Sequence, residues 1–225
     1  MTPRTLVVTG GHGILGRAVV EAALADGLNV ALIDHVTGPS VLGGAFEVSG
    51  VDLTDPEAAA AALTRIVERF GRLDGLVNIA GGFVWQKTDD AKPAWDRMFA
   101  LNLTTALNTS RAALPHLKAS PEGRIVNIGS AAALKAGAGL GAYAASKSAV
   151  HSLTQAMAEE LKSTRVAVNA VLPSIIDTPS NRADMPDVDP ADWVAPSDLA
   201  AVILFLASPA ARAMTGALVP VTGRV

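Results

Sequence analysis

Residues 5–26 constrain the fold more than any other stretch. The apolar run Thr5-Leu6-Val7-Val8-Thr9 ends in Gly10-Gly11-His12-Gly13-Ile14-Leu15-Gly16, and a helical pattern then continues to about Asp26, where Gly27 stops it. Strand, glycine turn and helix in this order give a G-x-G-x-x-G match its context, and Gly11, Gly13 and Gly16 supply the spacing. Glycine lets the backbone turn tightly and approach a pyrophosphate. The helix N-terminus beyond offers free N–H groups and the positive end of a dipole. The same spacing occurs in plain structural turns, but the flanking elements favour a dinucleotide. Gly10, Gly13, Ile14, Leu15 and Gly16 are the candidate phosphate-side residues.

The pattern repeats downstream. Asn29–Ile33 reads as a second parallel strand ending at Asp34, about twenty residues beyond the glycines, where a carboxylate can accept hydrogen bonds from ribose hydroxyls. A 2′-phosphate would meet that negative charge, so NAD(H) is favoured over NADP(H). A protonated His35 or His12 would soften the exclusion, and Asp34 also reads as an ordinary turn acid. Between Asp34 and Asp52 the chain is short and rich in turn formers, so a loop or a single turn replaces a crossover helix before a strand at about Ala45–Val51. Asp52-Leu53-Thr54-Asp55 caps a helix from Pro56 to Phe70. Asp52 and Leu53 are also placed to touch an adenine.

Leu73–Ile79 is a buried strand leading into Ala80-Gly81-Gly82, whose small residues let a cofactor lie close; Asn78 can pin the neighbouring strand. Phe83, Val84 and Trp85 form an apolar loop beyond a carboxyl strand end, where ligands bind in open α/β sheets. They read as substrate wall or as plain packing. Pro93 begins a long helix to about Lys118, with Asn102 on its inward face, where distorting the helix and holding a catalytic water are compatible roles. Gly123–Gly129 is a strand with Ser130 at its carboxyl end, and Arg165–Leu172 is another, stopped by Pro173. Ser174–Pro190 carries three prolines and reads as a mobile loop, either solvated or closing over substrate with Asn181 or Arg182 reaching inward. A helix at Ser197–Ala207 and a strand at Gly216–Val221 follow. Residues 1–225 therefore read as one alternating β/α domain.

Composition narrows the partners. A net charge of −3 and a pI near 5.8 give no reason to propose nucleic acid. Without cysteine there is no disulfide or thiolate metal site, and no metal is expected. No apolar run is long enough for a membrane span and no signal segment precedes Thr5, so a cytoplasmic protein acting on a small molecule is expected.

Chemistry concentrates in Tyr143-Ala144-Ala145-Ser146-Lys147, which follows Ser130 by thirteen residues. Four apart on a helix, Tyr143 and Lys147 share a face. A phenol with pKa near ~10 is a poor acid at neutral pH, and an adjacent ammonium is expected to lower it. Such a pair suits carbonyl–alcohol redox chemistry, although this spacing is more often a solvated face. Small residues along the same helix (Ala144, Ala145, Ser148, Ala149, Ala156) permit close approach of another helix.

The residues Thr9–Gly16, Asn78-Ile79-Ala80-Gly81, Asn102, Ser130, Tyr143-x-x-x-Lys147, and Pro173 with Thr178 together resemble the short-chain dehydrogenase/reductase family over nearly the full chain. The resemblance implies a doubly wound Rossmann-type α/β domain with a seven-stranded parallel sheet, helices on both faces and NAD(P) as cofactor. It implies a catalytic tetrad of Asn102, Ser130, Tyr143 and Lys147, with Tyr143 and Lys147 also on the cofactor. Ile176 and Thr178 would hold the carboxamide, Pro173 would also be on the cofactor, and the molecule would be a homotetramer or homodimer. Ile14 stands where that family usually has its middle glycine. The glycine pattern, the short crossover and the segment from Ser174 through Asn181-Arg182 to Trp193 resemble dihydropteridine reductase, which generally lacks the serine found here as Ser130. Three functions follow: an alcohol/ketone oxidoreductase, a reductase of a quinonoid heterocycle, or a non-catalytic NAD-sensing protein. Phe83, Trp85, Ser174, Asn181 and Arg182 are the candidate substrate residues.

Overall fold

The computed structural model describes residues 3–37, 42–90, 92 and 94–225. Seven strands run in parallel: β1 (Thr5–Thr9), β2 (Asn29–Asp34), β3 (Phe46–Ser49), β4 (Gly75–Asn78), β5 (Arg124–Ile128), β6 (Ala167–Pro173) and β7 (Leu218–Val221). Their order is β3-β2-β1-β4-β5-β6-β7. The chain winds outward from β1 to β3 and returns to β4 on the other side of β1. The crevice between the carboxyl ends of β1 and β4 is thus a topological switch point, where open α/β sheets bind ligands. Register puts Val8 beside Leu32 and Val77, and Thr9 beside Asn78.

Side chains alternate across the sheet, so adjacent residues of one strand feed two cores. Leu6, Val8, Val30, Leu32, Val126 and Val171 pack against α1 (Ile14–Ala25) and α7 (Pro196–Leu206) through Val19, Val20, Leu199 and Ile203. Val7, Ala31, Ile33, Leu76, Ile125 and Val168 pack on the opposite face against α2 (Pro56–Phe70), α4 (Thr105–Ala119) and α5 (Gly141–Glu160). α2 starts as its sequence directs: Asp55 accepts from the Glu57 N–H at 2.8 Å and Pro56 opens the helix. Gly71, in the left-handed region at φ 73°, ends it.

Two expectations change. The helix expected from Pro93 to Lys118 is interrupted: α3 (Trp95–Phe99) passes through a π-helical turn, Ala100–Thr104, into α4. Pro93 itself lies outside the described residues. The Ser174–Pro190 segment is not simply loop, because α6 (Pro179–Asp184) forms within it, capped by Thr178 Oγ1 accepting from the Asn181 N–H. The short crossover after β2 contains no helix among the described residues 35–37 and 42–45. No helix among the described residues is long and apolar enough to cross a membrane.

Candidate active site

A cleft of about 1010 Å³ opens at the carboxyl ends of the strands. Gly10, Gly13, Ile14, Leu15, Gly16, Asp34, Asp52, Leu53, Ala80, Gly81, Ile176 and Thr178 all line it. Gly10 takes φ +69°, and a Cβ on Gly16 would lie 2.1 Å from the Gly10 carbonyl oxygen, so both positions need glycine. Thr9 Oγ1 accepts from the Ile79 and Ala80 N–H groups (3.0 and 3.1 Å), tying the ends of β1 and β4 together. The N-cap Gly13 brings no side-chain cap to α1, leaving the first-turn N–H groups free for an anionic ligand. A bare glycine turn at an uncapped helix start fits the pyrophosphate of a dinucleotide.

The acids beside this turn do more than face a ligand. Asp34 accepts from the His12 N–H at 2.9 Å and the Val36 N–H at 3.0 Å, holding the glycine turn to the end of β2. His12 turns its imidazole toward Glu47 on β3, with Nε2 and Oε2 3.7 Å apart. Asp52 accepts from the Thr54 hydroxyl and N–H, which hold its carboxyl below the usual range.

Asn102 and Lys147 sit directly behind Gly81, and Tyr143, beside Ser130, lies one helical turn before Lys147 on α5. A Cβ on Gly81 would lie 2.6 Å from Asn102 Oδ1 and 3.6 Å from Lys147 Nζ, so only the bare glycine backbone separates the cleft from these two groups. The Lys147 ammonium is buried and donates to the Ile128 carbonyl at 2.8 Å. Burial pulls its pKa down to about 8. The expected lowering of the Tyr143 pKa by Lys147 is not what the structure gives. Burial pushes the phenol up, and the hydrogen bond from Ser130 opposes that rise. Asn102 Oδ1 accepts from the Gly82 N–H at 3.0 Å, while its Nδ2 donates to the Gly82 carbonyl at 3.1 Å and to Ser146 Oγ at 2.9 Å. The π turn puts that amide between two elements that a regular helix would not let it bridge.

Beyond Tyr143 lies the apolar loop. The Phe83 ring meets the tyrosine ring edge-on at 5.0 Å, and Trp85 lies over Gly139. Other expected residues are not brought here. Asn78 is buried and donates to Ser110 Oγ and to Asn127 Oδ1 on β5; it pins strand to strand rather than facing the cleft. Pro173 is buried at the end of β6 beside Val221, outside the cleft lining. The Ser174 hydroxyl donates to the Thr222 carbonyl at 2.7 Å and so secures the C-terminal strand. Asn181 donates to the Ile176 carbonyl at 2.7 Å, and Arg182 forms a two-pronged pair with Asp177 on an exposed surface, so neither reaches inward.

Two further residues escape the sequence reading. His151 Nε2, two turns beyond Tyr143 on α5, accepts from the Ser130 N–H at 3.3 Å, and burial followed by Lys147 lowers its pKa. Ser146 Oγ links the Tyr143 carbonyl to Asn102. The i+8 spacing of His151 from Tyr143 was the available signal, since it places both on one face of α5.

Known proteins are similar to this chain in sequence and in fold. The model of the short chain dehydrogenase family matches residues 4–189. 2-(S)-hydroxypropyl-CoM dehydrogenase 3 of Xanthobacter autotrophicus is 34% identical over 241 aligned positions, covering 97% of this chain and 94% of the relative. The 3-ketoacyl-(acyl-carrier-protein) reductase of Brucella melitensis, solved with NADH, superposes with a TM-score of 0.87 at 27% identity over 98% of both chains. ElxO, solved with NADP, superposes with a TM-score of 0.89 at 26% identity over 98% of both. With its seven-stranded parallel sheet, glycine turn and matching sequence, the chain belongs to the short-chain dehydrogenase/reductase family of NAD(P)-dependent oxidoreductases.

Proposed function

We propose that Tyr143 is the proton-transfer group of a carbonyl–alcohol oxidoreductase that prefers NAD(H). The observation that carries this reading is a buried lysine one helical turn behind a phenol on α5, with Ser130 near enough to the phenol to counter the rise that burial gives its pKa. The glycine turn and the free N–H groups of α1 would hold the pyrophosphate, and Asp34 the ribose. A bound nicotinamide supplies or accepts the hydride. Burial keeps Tyr143 protonated at neutral pH, which is the form needed to give a proton to a carbonyl oxygen. The Ser130 hydroxyl would share the developing oxyanion charge. Lys147, with a pKa near 8, would restore the phenol proton, and Asn102 would hold the Gly82 backbone beside it. The presence of Ser130 at the phenol supports this function over reduction of a quinonoid heterocycle or NAD sensing alone.

Asp34 and the Glu47 carboxylate beside His12 concentrate negative charge at the adenosine end, which supports NAD(H) over NADP(H). The small, incompletely buried side chains Ala145, Ser148 and Ala149 on α5 support pairing with a second copy as a homodimer or homotetramer. The test is turnover of a ketone panel with NADH and with NADPH, for the wild type and Tyr143→Phe. We expect faster turnover with NADH, and a loss of about 10²–10⁴-fold in kcat in the variant with NADH affinity retained. Near-normal turnover by Tyr143→Phe sinks the assignment.

A further inference from the structure

The chain has nine aromatic residues, and four of them, Phe83, Trp85, Trp95 and Tyr143, lie together around the 139–141 turn that opens α5. Three of these are well exposed: Phe83 at 53%, Trp85 at 56% and Trp95 at 40%, with Leu134 at 63%. Isolated exposed apolar residues are ordinary, whereas contiguous ones mark a binding surface. Here continuity is built in. Phe83 stands edge-on to Tyr143 at 5.0 Å. The Gln86 N–H donates to the Gly139 carbonyl at 2.8 Å, clamping the 83–86 loop onto the 131–141 loop. A Cβ on Gly139 would lie 2.2 Å from Trp85 Cε2, so that glycine makes room for the indole. Trp95 approaches Gly141, two residues before Tyr143. Leu134 follows the short 3₁₀ turn that Ser130 caps. Beneath them Val84 and Leu101 pack with Met98, Ala142 and Tyr143.

We infer that the substrate is a neutral ketone or secondary alcohol whose larger substituent is an alkyl chain or aryl ring lying along Phe83, Trp85 and Leu134. This rests on the assignment of Tyr143 as the proton-transfer group. In reduction, two electrons enter the carbonyl carbon as hydride from NAD(P)H, the oxygen takes a proton from Tyr143, and NAD(P)⁺ and the alcohol leave. The charged side chain of the 131–141 loop is Lys135, exposed beside Leu134. It makes a carboxylate-bearing ketone the rival substrate.

The experiment measures kcat/KM for methyl ketones from 2-butanone to 2-octanone, for acetophenone, and for 2-oxo acids of matched length, in wild type, Phe83→Ala and Leu134→Ser. Leu134 is exposed, so its replacement removes little packing. We expect kcat/KM to rise by up to about fourfold per added methylene, because each buried methylene favours binding to that extent. Oxo acids should fall at least about tenfold below neutral ketones of equal length, and both variants should flatten the slope. A flat slope in wild type, or a preference for oxo acids, overturns the inference while leaving the role of Tyr143 intact, provided turnover still requires Tyr143. Variants that keep the slope but change the molecular mass in solution assign the wall to a second copy, and also overturn it. Turnover of no ketone overturns both readings.

Discussion

At Lys147 a single burial decides both chemistry and pH dependence. The side chain is 6% exposed, and its pKa falls from the ordinary value near 10.5 to about 8. The unfolded chain therefore keeps this proton up to about pH 10.5 while the folded chain releases it near 8. In that window the unfolded state holds more protons, so stability rises with pH. Tyr143 acts in the opposite sense above its ordinary value of 10.0, because its raised pKa keeps the folded phenol protonated after the unfolded one has ionised. We expect the ligand-free thermal midpoint to climb between about pH 8 and 10 and then to turn over. Lys147→Met should remove the climb and stabilise the protein at neutral pH by up to about 3 kcal/mol, at ~1.4 kcal/mol per pKa unit. A wild-type midpoint that is flat across this range contradicts the burial argument. The pairing of Tyr143 with Lys147 was legible from helical spacing. The sign of the tyrosine shift was not, because it depends on packing against Phe83 and Val84, sixty residues away in the chain.

Among the elements, the π turn has the largest consequence for the site. Three- and four-residue spacing survives on both sides of Ala100–Thr104, so the apolar pattern reads as one helix and hides the extra residue. What the sequence does show is a polar Asn102 on an inward face, and the turn is how the fold satisfies it. Asn102→Ala would leave the Gly82 N–H and carbonyl and the Ser146 hydroxyl short of a partner. We expect a loss of about 1–3 kcal/mol in urea unfolding, typical of stranding buried or half-buried polar groups. A loss below ~0.5 kcal/mol would mean that the loop finds other partners. The same ambiguity explains α6. Its prolines suggest loop, yet Thr178-Pro179 is also a helix-start signal, and the Asp177–Arg182 pair that closes over it links positions five apart. The partners of Ser174, Asn181 and Arg182 are not legible in the sequence, since each side chain is engaged by backbone or a neighbour that only the fold supplies.

Across the whole molecule, the parallel sheet separates the two ends of its strands by function. Chemistry collects at the carboxyl ends, while the opposite end is held by Asp74, which is 1% exposed. Its carboxylate accepts from the Thr5 N–H on β1 at 2.8 Å, from Arg72 twice at 2.7 Å, and from Ser120 Oγ after α4 at 2.6 Å. Its own carbonyl accepts from the Arg124 N–H at 3.0 Å, so the residue joins β1, β5 and a helix end. Burial pushes its pKa up, but the hydrogen bonds from Arg72, Ser120 and Thr5 outweigh that and leave it below the usual carboxylate value of 3.8. Because the folded pKa is the lower one, this stabilisation is present above the unfolded value and is lost as pH falls through the folded value. Replacing the carboxylate strands four donors, two of them on the partly exposed Arg72 guanidinium, and removing the shared acceptor of such a cluster costs about 1–3 kcal/mol. Asp74→Ala should therefore lower the unfolding free energy measured in urea by that amount at neutral pH. The gap between variant and wild type should shrink as the pH is taken down through the acid range. Since Asp74 lies at the far end of the strands from the glycine turn, folded Asp74→Ala should still bind NADH at close to wild-type affinity. Equal acid sensitivity in both proteins, or a cost below about 1 kcal/mol, would show that the sheet is held at this end by its apolar layers instead.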